Sequence, residues 1–284
     1  MAANTKIWYI YSKIYDCGDK MDTREIKLSL DDSYINVIHF GTGSKPVIII
    51  SGVSLTGLEG QGEAVAEAYH LFAKEYSVYL FERKKVLKEG YTVEDMAEDI
   101  SKAMDLLNID SAYIYGVSQG GMIAQVLAVK YPEKVKKLVL CSTMSRPTET
   151  MKKVAENWLE LAGRQDVIAL NRSFFNVVYS PAFLESVKEL LPSLEKVGST
   201  EDCARFSILV NAVLQFDIYE KLKQIKCPVL VIGDKNDKTI GIEGSYEIIN
   251  KLGCKSYIYD RYSHAVYDEA PDIKEKIMDF FQCS

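Results

Sequence analysis

Several classes of function are disfavoured by what this chain lacks. No apolar run approaches the ~20 residues that a membrane-spanning helix requires. The stretch Ile7-Trp8-Tyr9-Ile10-Tyr11 is too short and too aromatic for a signal-peptide core, and no cleavage-like site follows it. Basic residues are scattered and outnumbered, 34 against 40 acidic, for a net charge of -6. That balance argues against nucleic acid or an anionic membrane as partner. The six cysteines, Cys17, Cys141, Cys203, Cys227, Cys254 and Cys283, stand far apart with no metal-ligand spacing. Several sit in apolar surroundings, as Cys141 does after Leu138-Val139-Leu140, so they read as free thiols in a reducing cytoplasm, with no metal. Internal repeats and low-complexity segments are missing as well. Histidine is scarce: His39, His70 and His264 are the only three.

What is present is an ordinary globular composition, 48% hydrophobic and 26% charged over 284 residues, enough for one large α/β domain with room for an insertion. Its most informative stretch is Gly116-Val117-Ser118-Gln119-Gly120. Ala112 to Tyr115 before it reads as a short buried strand, and Met122 to Ala128 after it has a helical apolar pattern that stops before Pro132. Strand, tight Gly-x-Ser-x-Gly turn, helix is the context of a nucleophile elbow. The glycines let strand and helix approach, and the serine Oγ stands at a helix N-terminus that favours developing negative charge. The bland alternative is a glycine-rich turn in which Ser118 merely caps the helix.

Around this turn the chain alternates. Glu25–Leu30 and Tyr34–Phe40 flank Asp31-Asp32-Ser33 as an expected antiparallel hairpin. Val47–Ile50, Val78–Phe81 and Val135–Cys141 read as buried strands, with helical spacing over Glu63–Lys74 and Thr92–Leu107 between them, the latter opened by a Thr92/Asp95 capping box. This rhythm predicts a mostly parallel sheet. It breaks from about Ser145 to Ile225, where only helical segments are visible, around Val154–Leu161, Phe183–Leu191 and Ala204–Leu222. The segment is rich in aromatics. Most should be core, but an insertion over one end of a sheet should also line a pocket, and Phe174, Phe175 and Phe216 are the candidates. Strands resume at Val229–Ile232 and Ser256–Tyr259, and Asp272–Phe281 is a terminal amphipathic helix.

A serine nucleophile needs a base and an acid. His39 falls inside a strand and His70 inside a helix, positions that favour structural roles; His264 alone lies in a loop just past a parallel strand, where open α/β sheets collect their active sites. Asp234 and Asp237 both follow the preceding strand, and either could orient the imidazole.

In the order Ser, Asp, His, with Tyr262-Ser263-His264 and Glu269-Ala270-Pro271 near the end, the chain resembles the α/β-hydrolase superfamily over nearly its whole length. The resemblance implies an eight-stranded, mostly parallel sheet flanked by helices, with residues 1–144 and 226–284 as the core and 145–225 as an inserted helical cap. Serine at the elbow departs from the haloalkane dehalogenases and epoxide hydrolases, which place aspartate there. Family register, acid, three residues, then a helix-opening Pro or Gly, fits Asp237 followed by Gly241 and points to Ser118, Asp237 and His264 as the triad. The oxyanion hole then uses the N–H groups of Gln119 and of Val53, where this chain reads Ser51-Gly52-Val53 in place of the usual His-Gly. The implied activity is cofactor-free hydrolysis of a carboxylic ester of a small to medium apolar small-molecule substrate through an acyl-enzyme. A lactonase, a C–C hydrolase, an acyltransferase and an aminopeptidase using Glu156 or Glu160 to hold an ammonium are the alternatives, with a small-molecule receptor as the non-enzymatic one.

Overall fold

The computed structural model describes residues 21–31 and 33–283. The Ile7–Tyr11 stretch, Cys17 and Asp32 lie outside the described residues. Hydrophobic alternation builds the first three strands: β1 (Thr23–Leu30), β2 (Ser33–Phe40) and β3 (Lys45–Ile50). After them come α1 (Gly62–Ala68), β4 (Tyr76–Lys84), α2 (Val93–Leu106), β5 (Ala112–Val117), α3 (Gln119–Lys130) and β6 (Val135–Cys141). The expected helix over Glu63–Lys74 is cut short: α1 ends at Ala68, and His70–Phe72 turns as a 3-10 helix. In α2 the capping box is present, with Thr92 Oγ1 accepting from the Asp95 N–H at 3.1 Å and Asp95 Oδ2 accepting from the Thr92 N–H at 2.9 Å.

Between β6 and the next strand the chain is helical: α4 (Glu149–Gly163), α5 (Val167–Val178), α6 (Pro181–Ser186), α7 (Leu191–Leu194) and α8 (Thr200–Gln215), then a 3-10 turn over Tyr219–Gln224. The sequence pattern suggests one helix over Phe183–Leu191, but the backbone breaks there into α6 and α7, with a proline in the first turn of each. The helix over Ala204–Leu222 likewise stops at Gln215, because Phe216 turns extended at φ -74° and ψ 125°. Helix α5 carries its own sequence signal: Asp166 caps it by accepting from the Ala169 N–H at 2.9 Å, and an apolar face follows at helical spacing. The sheet then closes with β7 (Val229–Asp234), α9 (Ile242–Leu252) and β8 (Lys255–Tyr259), followed by α10 (Val266–Glu269) and α11 (Ile273–Gln282).

The eight strands lie in the order β1-β2-β4-β3-β5-β6-β7-β8, antiparallel from β1 to β4 and parallel from there on. Along β3, Ile48 and Ile50 enter the core under α2 and α3, while Val47 and Ile49 enter the core under α1 and α11; period-two alternation thus fills both layers. The chain order reverses between β3 and β5. That reversal opens a crevice beyond their C-terminal ends, bounded by Ser51–Ser54 after β3 and Ser118 after β5. Among the described residues no helix is long and apolar enough to cross a membrane.

Candidate active site

Ser118 has φ 53° and ψ -121°, a positive φ unfavourable for a residue with a side chain. The neighbours explain how it is held there. A Cβ on Gly116 would lie 2.5 Å from the Gly120 carbonyl oxygen, and one on Gly120 would lie 2.0 Å from that of Ile50, so only glycine permits this turn. The Ser118 N–H donates to the Cys141 carbonyl at 2.9 Å, and Thr143 Oγ1 donates to the Ser118 carbonyl at 2.7 Å. The hydroxyl does not cap α3. It meets His264 instead.

His264 Nε2 lies 3.0 Å from Ser118 Oγ, and its Nδ1 lies 2.8 Å from Asp237 Oδ2. With Nδ1 as donor, Nε2 is left to accept the serine proton. The other oxygen of Asp237, Oδ1, accepts from the N–H groups of Thr239 and Ile240 at 2.8 and 2.9 Å. The structure therefore brings together Ser118, Asp237 and His264, all nine-tenths buried or more. Asp234 takes a different place. Fully buried, it accepts from the Asn236 N–H on one oxygen and from the Arg261 and Tyr262 N–H groups on the other, tying the loop that carries Asp237 to the loop that carries His264. The His264 loop is further fastened by Ser142 Oγ, which donates to the His264 carbonyl at 2.7 Å, and by the Ala265 N–H, which donates to Val178 at the end of α5. The remaining histidines are remote: His39 stacks on Tyr79 and contacts Ser77 Oγ, and His70 Nδ1 contacts the Glu67 carbonyl.

Beside the serine, Gly52 approaches so closely that an added Cβ would stand 3.1 Å from Ser118 Cβ. Gln119 is the first residue of α3, where a helix leaves its N–H groups without intrahelical partners, and Val53 lines the same cavity. A residue that sequence reasoning missed organises both loops. Arg83, at the end of β4 and 6% exposed, donates to the Ser51 carbonyl at 2.5 Å and to Gln119 Oε1 from Nε and Nη2. The Gln119 side-chain amide in turn donates to the Leu209 carbonyl of α8. Burial lowers the Arg83 pKa to about 10, which still leaves it a cation at neutral pH. No short motif announces such a clamp, because its members come from β4, the β3 loop and α3.

Two chambers open at this crevice. The smaller is walled by Ser118, His264, Met122, Trp158, Val210 and Val213. The larger runs between the β3 loop and α5 toward Asp268. Phe174 and Tyr267 border both. Phe175 borders the larger one, but Phe216 lines neither: it is 1% exposed and packs into the core as α8 ends, a correction to its expected place in the pocket. Its aromatic character is visible in sequence, whereas the direction it faces is set by the extended turn at that residue. Glu156 and Glu160 are also displaced from the site; both are exposed on α4, and Glu160 pairs with Arg164.

Residues 68–271 match the alpha/beta hydrolase fold family. The chain is 26% identical over 250 residues to the protein named "Putative carbamate hydrolase RutD" of Caulobacter sp. strain K31, covering 84% of this chain and 88% of that one. It is 23% identical over 218 residues to 3-oxoadipate enol-lactonase 2 of Acinetobacter baylyi, covering 74% and 78%. Its fold is similar to that of the enol-lactonase from Burkholderia xenovorans LB400, with a TM-score of 0.80 at 19% identity over 91% of this chain and 100% of that one.

Proposed function

Since the chain belongs to the alpha/beta hydrolase fold family and is a hydrolase, we propose that it is a serine hydrolase cleaving a carboxylic ester, with Ser118 as nucleophile, His264 as base and Asp237 as the acid that orients it. The observation that carries this reading is the hydrogen-bonded chain from Ser118 Oγ through His264 to Asp237, at 3.0 and 2.8 Å, at the junction of two apolar chambers. Ser118 Oγ attacks the ester carbonyl while His264 Nε2 takes its proton. The N–H groups of Gln119 and Val53 receive the oxyanion, and Arg83 holds the loops that present them. Collapse expels the alkoxide, which takes the proton from His264, and leaves an acyl-serine. Water, deprotonated by the same imidazole, then releases the acid and restores the serine.

The helices of residues 145–225 act in this reading as a cap that shapes access, supported by the share of α4, α5 and α8 in the chamber walls. A cyclic ester is the second substrate class, favoured by the enclosed site and by the enol-lactonases among the similar proteins. Five free cysteines among the described residues suit a reducing cytoplasm, where we place the enzyme. The test is multiple turnover of p-nitrophenyl butyrate together with a fluorophosphonate adduct mapped to Ser118. Ser118→Ala should lose the adduct and at least about three orders of magnitude in turnover. Binding without turnover would instead make the protein a receptor, and labelling of Ser118→Ala at the wild-type rate would move the nucleophile elsewhere.

A further inference from the structure

The larger chamber ends at a charged group that the hydrolytic chemistry does not use. Asp268 lies on α10, four residues after His264, is 7% exposed and lines the cavity. It is the only charged residue among those described that line this chamber, and no described residue makes an ion pair with it. Lys274, itself buried, attracts the Asp268 carboxylate electrostatically but makes no ion pair with it; its Nζ donates to the Tyr267 carbonyl at 3.1 Å and lies 5.8 Å from the Tyr69 ring centre. Tyr179, on the same chamber wall, faces the Asp268 carboxylate and favours its charged form. Five aromatic side chains, Tyr69, Phe174, Phe175, Phe206 and Tyr267, share the wall with aliphatic residues and with the neutral polar Ser51, Ser54, Thr56 and Asn171. A buried carboxylate is an acceptor only, and aromatic faces attract cations but not anions.

We infer that the larger chamber recognises a protonated amine, so that the preferred substrate is an ester whose arm in that chamber carries an ammonium group held by Asp268 and the aromatic wall. This inference rests on the hydrolase reading above and adds to it the substrate class. It also relocates the carboxylate that an amine-selective hydrolase needs: it stands in the core beside the histidine loop, not among the surface acids of α4.

The pH dependence has a definite sign. Burial pushes Asp268 up to about 6, so it is ionised above that pH and neutral below it. The other titratable groups facing it are Tyr69, Tyr115, Tyr179 and Tyr267, Cys141, Lys274 and Glu269. Burial holds the tyrosines and the Cys141 thiol neutral through this range, Cys141 being pushed up to about 12. Lys274 is lowered by burial and raised by Asp268. Glu269, whose carboxylate is turned to Ser180, is raised to about 7 and titrates nearby, so its effect must be separated by a variant.

The experiment compares isosteric ester pairs. For the acyl arm these are the p-nitrophenyl esters of aminohexanoic and heptanoic acid, which differ only in an ammonium for a methyl group. For the alcohol arm they are dimethylaminopropyl butyrate and methylpentyl butyrate. In at least one pair the wild type should favour the amine by about tenfold or more in kcat/KM, the scale of a hydrogen bond to a charged group. The ratio cancels the titration of the reacting groups, because both esters use them. It should fall as pH drops through about 6, in the wild type and in Glu269→Gln alike. Asp268→Asn should abolish the preference and leave hydrolysis of the hydrocarbon esters within about threefold, which also reports that the variant is folded. Calorimetric binding of hexylammonium, abolished in Asp268→Asn, decides the matter independently of turnover. If the hydrocarbon esters turn over while no amine preference and no hexylammonium binding appear, the inference fails and the hydrolase reading stands. If nothing turns over but hexylammonium binds through Asp268, the hydrolase reading fails and the amine site stands. A preference for the hydroxyhexanoate ester over the aminohexanoate one would also overturn it, making Asp268 an acceptor for neutral donors.

Discussion

The loops past β7 and β8 and the helices between β6 and β7 both face the crevice, but different forces hold them. In the loops each member of the proposed triad is fixed by directed hydrogen bonds. Asp237 is oriented by two backbone N–H groups, His264 by its carbonyl contact with Ser142, and the two loops by Asp234. In the helices the chamber wall is held by packing: Trp158 stacks on Phe174 at 5.3 Å and meets Phe206 edge-on at 5.7 Å. Hydrogen bonds fix both distance and angle, as proton transfer requires, whereas packing fixes volume and tolerates exchange of side chains. Changes to the first region should therefore act on rate, and changes to the second on stability or substrate preference.

The largest effect that can break this contrast comes from the two aspartates. In Asp237→Asn the amide oxygen can keep the Thr239 and Ile240 N–H groups only by turning its NH2 toward His264 Nδ1, donor against donor. The imidazole then adopts the tautomer that cannot accept from Ser118, and turnover should fall by about four orders of magnitude in a protein that still folds. Asp234→Asn presents its NH2 either to the Asn236 N–H or to the Arg261 and Tyr262 N–H groups, so it should lose about 1–3 kcal/mol of stability. Its turnover per folded molecule should stay within a few-fold of wild type. Urea unfolding beside kcat separates the two, and the opposite ranking would move the acid to Asp234.

That contrast also explains what could be read before the structure. Ser118 and its strand, turn and helix are local in sequence, and His264 was singled out because the other histidines fall inside regular elements. Asp237 needed the register of the resembling family. A mostly parallel sheet follows from buried runs separated by helices, each of which carries its own signal, while the eight-stranded form came with the family resemblance. Arg83 escaped because its role exists only where β4, the β3 loop and the start of α3 converge, and a lone arginine at a strand end has no pattern. Asp268 escaped for the opposite reason: it stands beside Glu269-Ala270-Pro271, where an acidic pair reads as an exposed helix start, and only the chamber shows that it faces inward. Phe174 and Phe216 looked equivalent as aromatics of one helical region, and the fold separated them.

Those two phenylalanines give the next comparison. Phe216 is buried in the core, so Phe216→Ala should cost about 3–5 kcal/mol and leave acyl-length preference unchanged. Phe174 is half-buried on the border of both chambers, so Phe174→Ala should cost less stability and raise the relative kcat/KM for longer acyl esters by a few-fold. Melting curves and a butyrate-to-octanoate series read both quantities. A shift in preference from Phe216→Ala as large as that from Phe174→Ala would mean that packing and specificity are not separable in these helices.

The smallest expected effect lies where the two regions meet. Glu269, just after Asp268 on α10, accepts from the Ser180 N–H at 2.9 Å and from Ser180 Oγ at 2.5 Å, joining the histidine loop to the end of α5. Burial, helped by the nearby Asp268 and Asp234 carboxylates, pushes its pKa up to about 7 against the bonds from Ser180, which lower it. A carboxyl group whose folded pKa lies above its unfolded value contributes stability that is full below the unfolded pKa, near 4.5, and is lost as pH rises through about 7. Glu269→Gln cannot ionise and should show no such loss. Its Oε1 can accept from the Ser180 N–H while its amide donates to Ser180 Oγ, so it mimics the neutral acid at pH 5 and gains on the wild type toward pH 8. The gap should change by a few degrees in Tm over that range. The difference between the two melting profiles is the readout, since Asp268 titrates in both proteins. Parallel profiles from pH 5 to pH 8 would show that Glu269 is already ionised in the folded state, and that the junction is held by charge-assisted bonds to Ser180 rather than by a neutral acid.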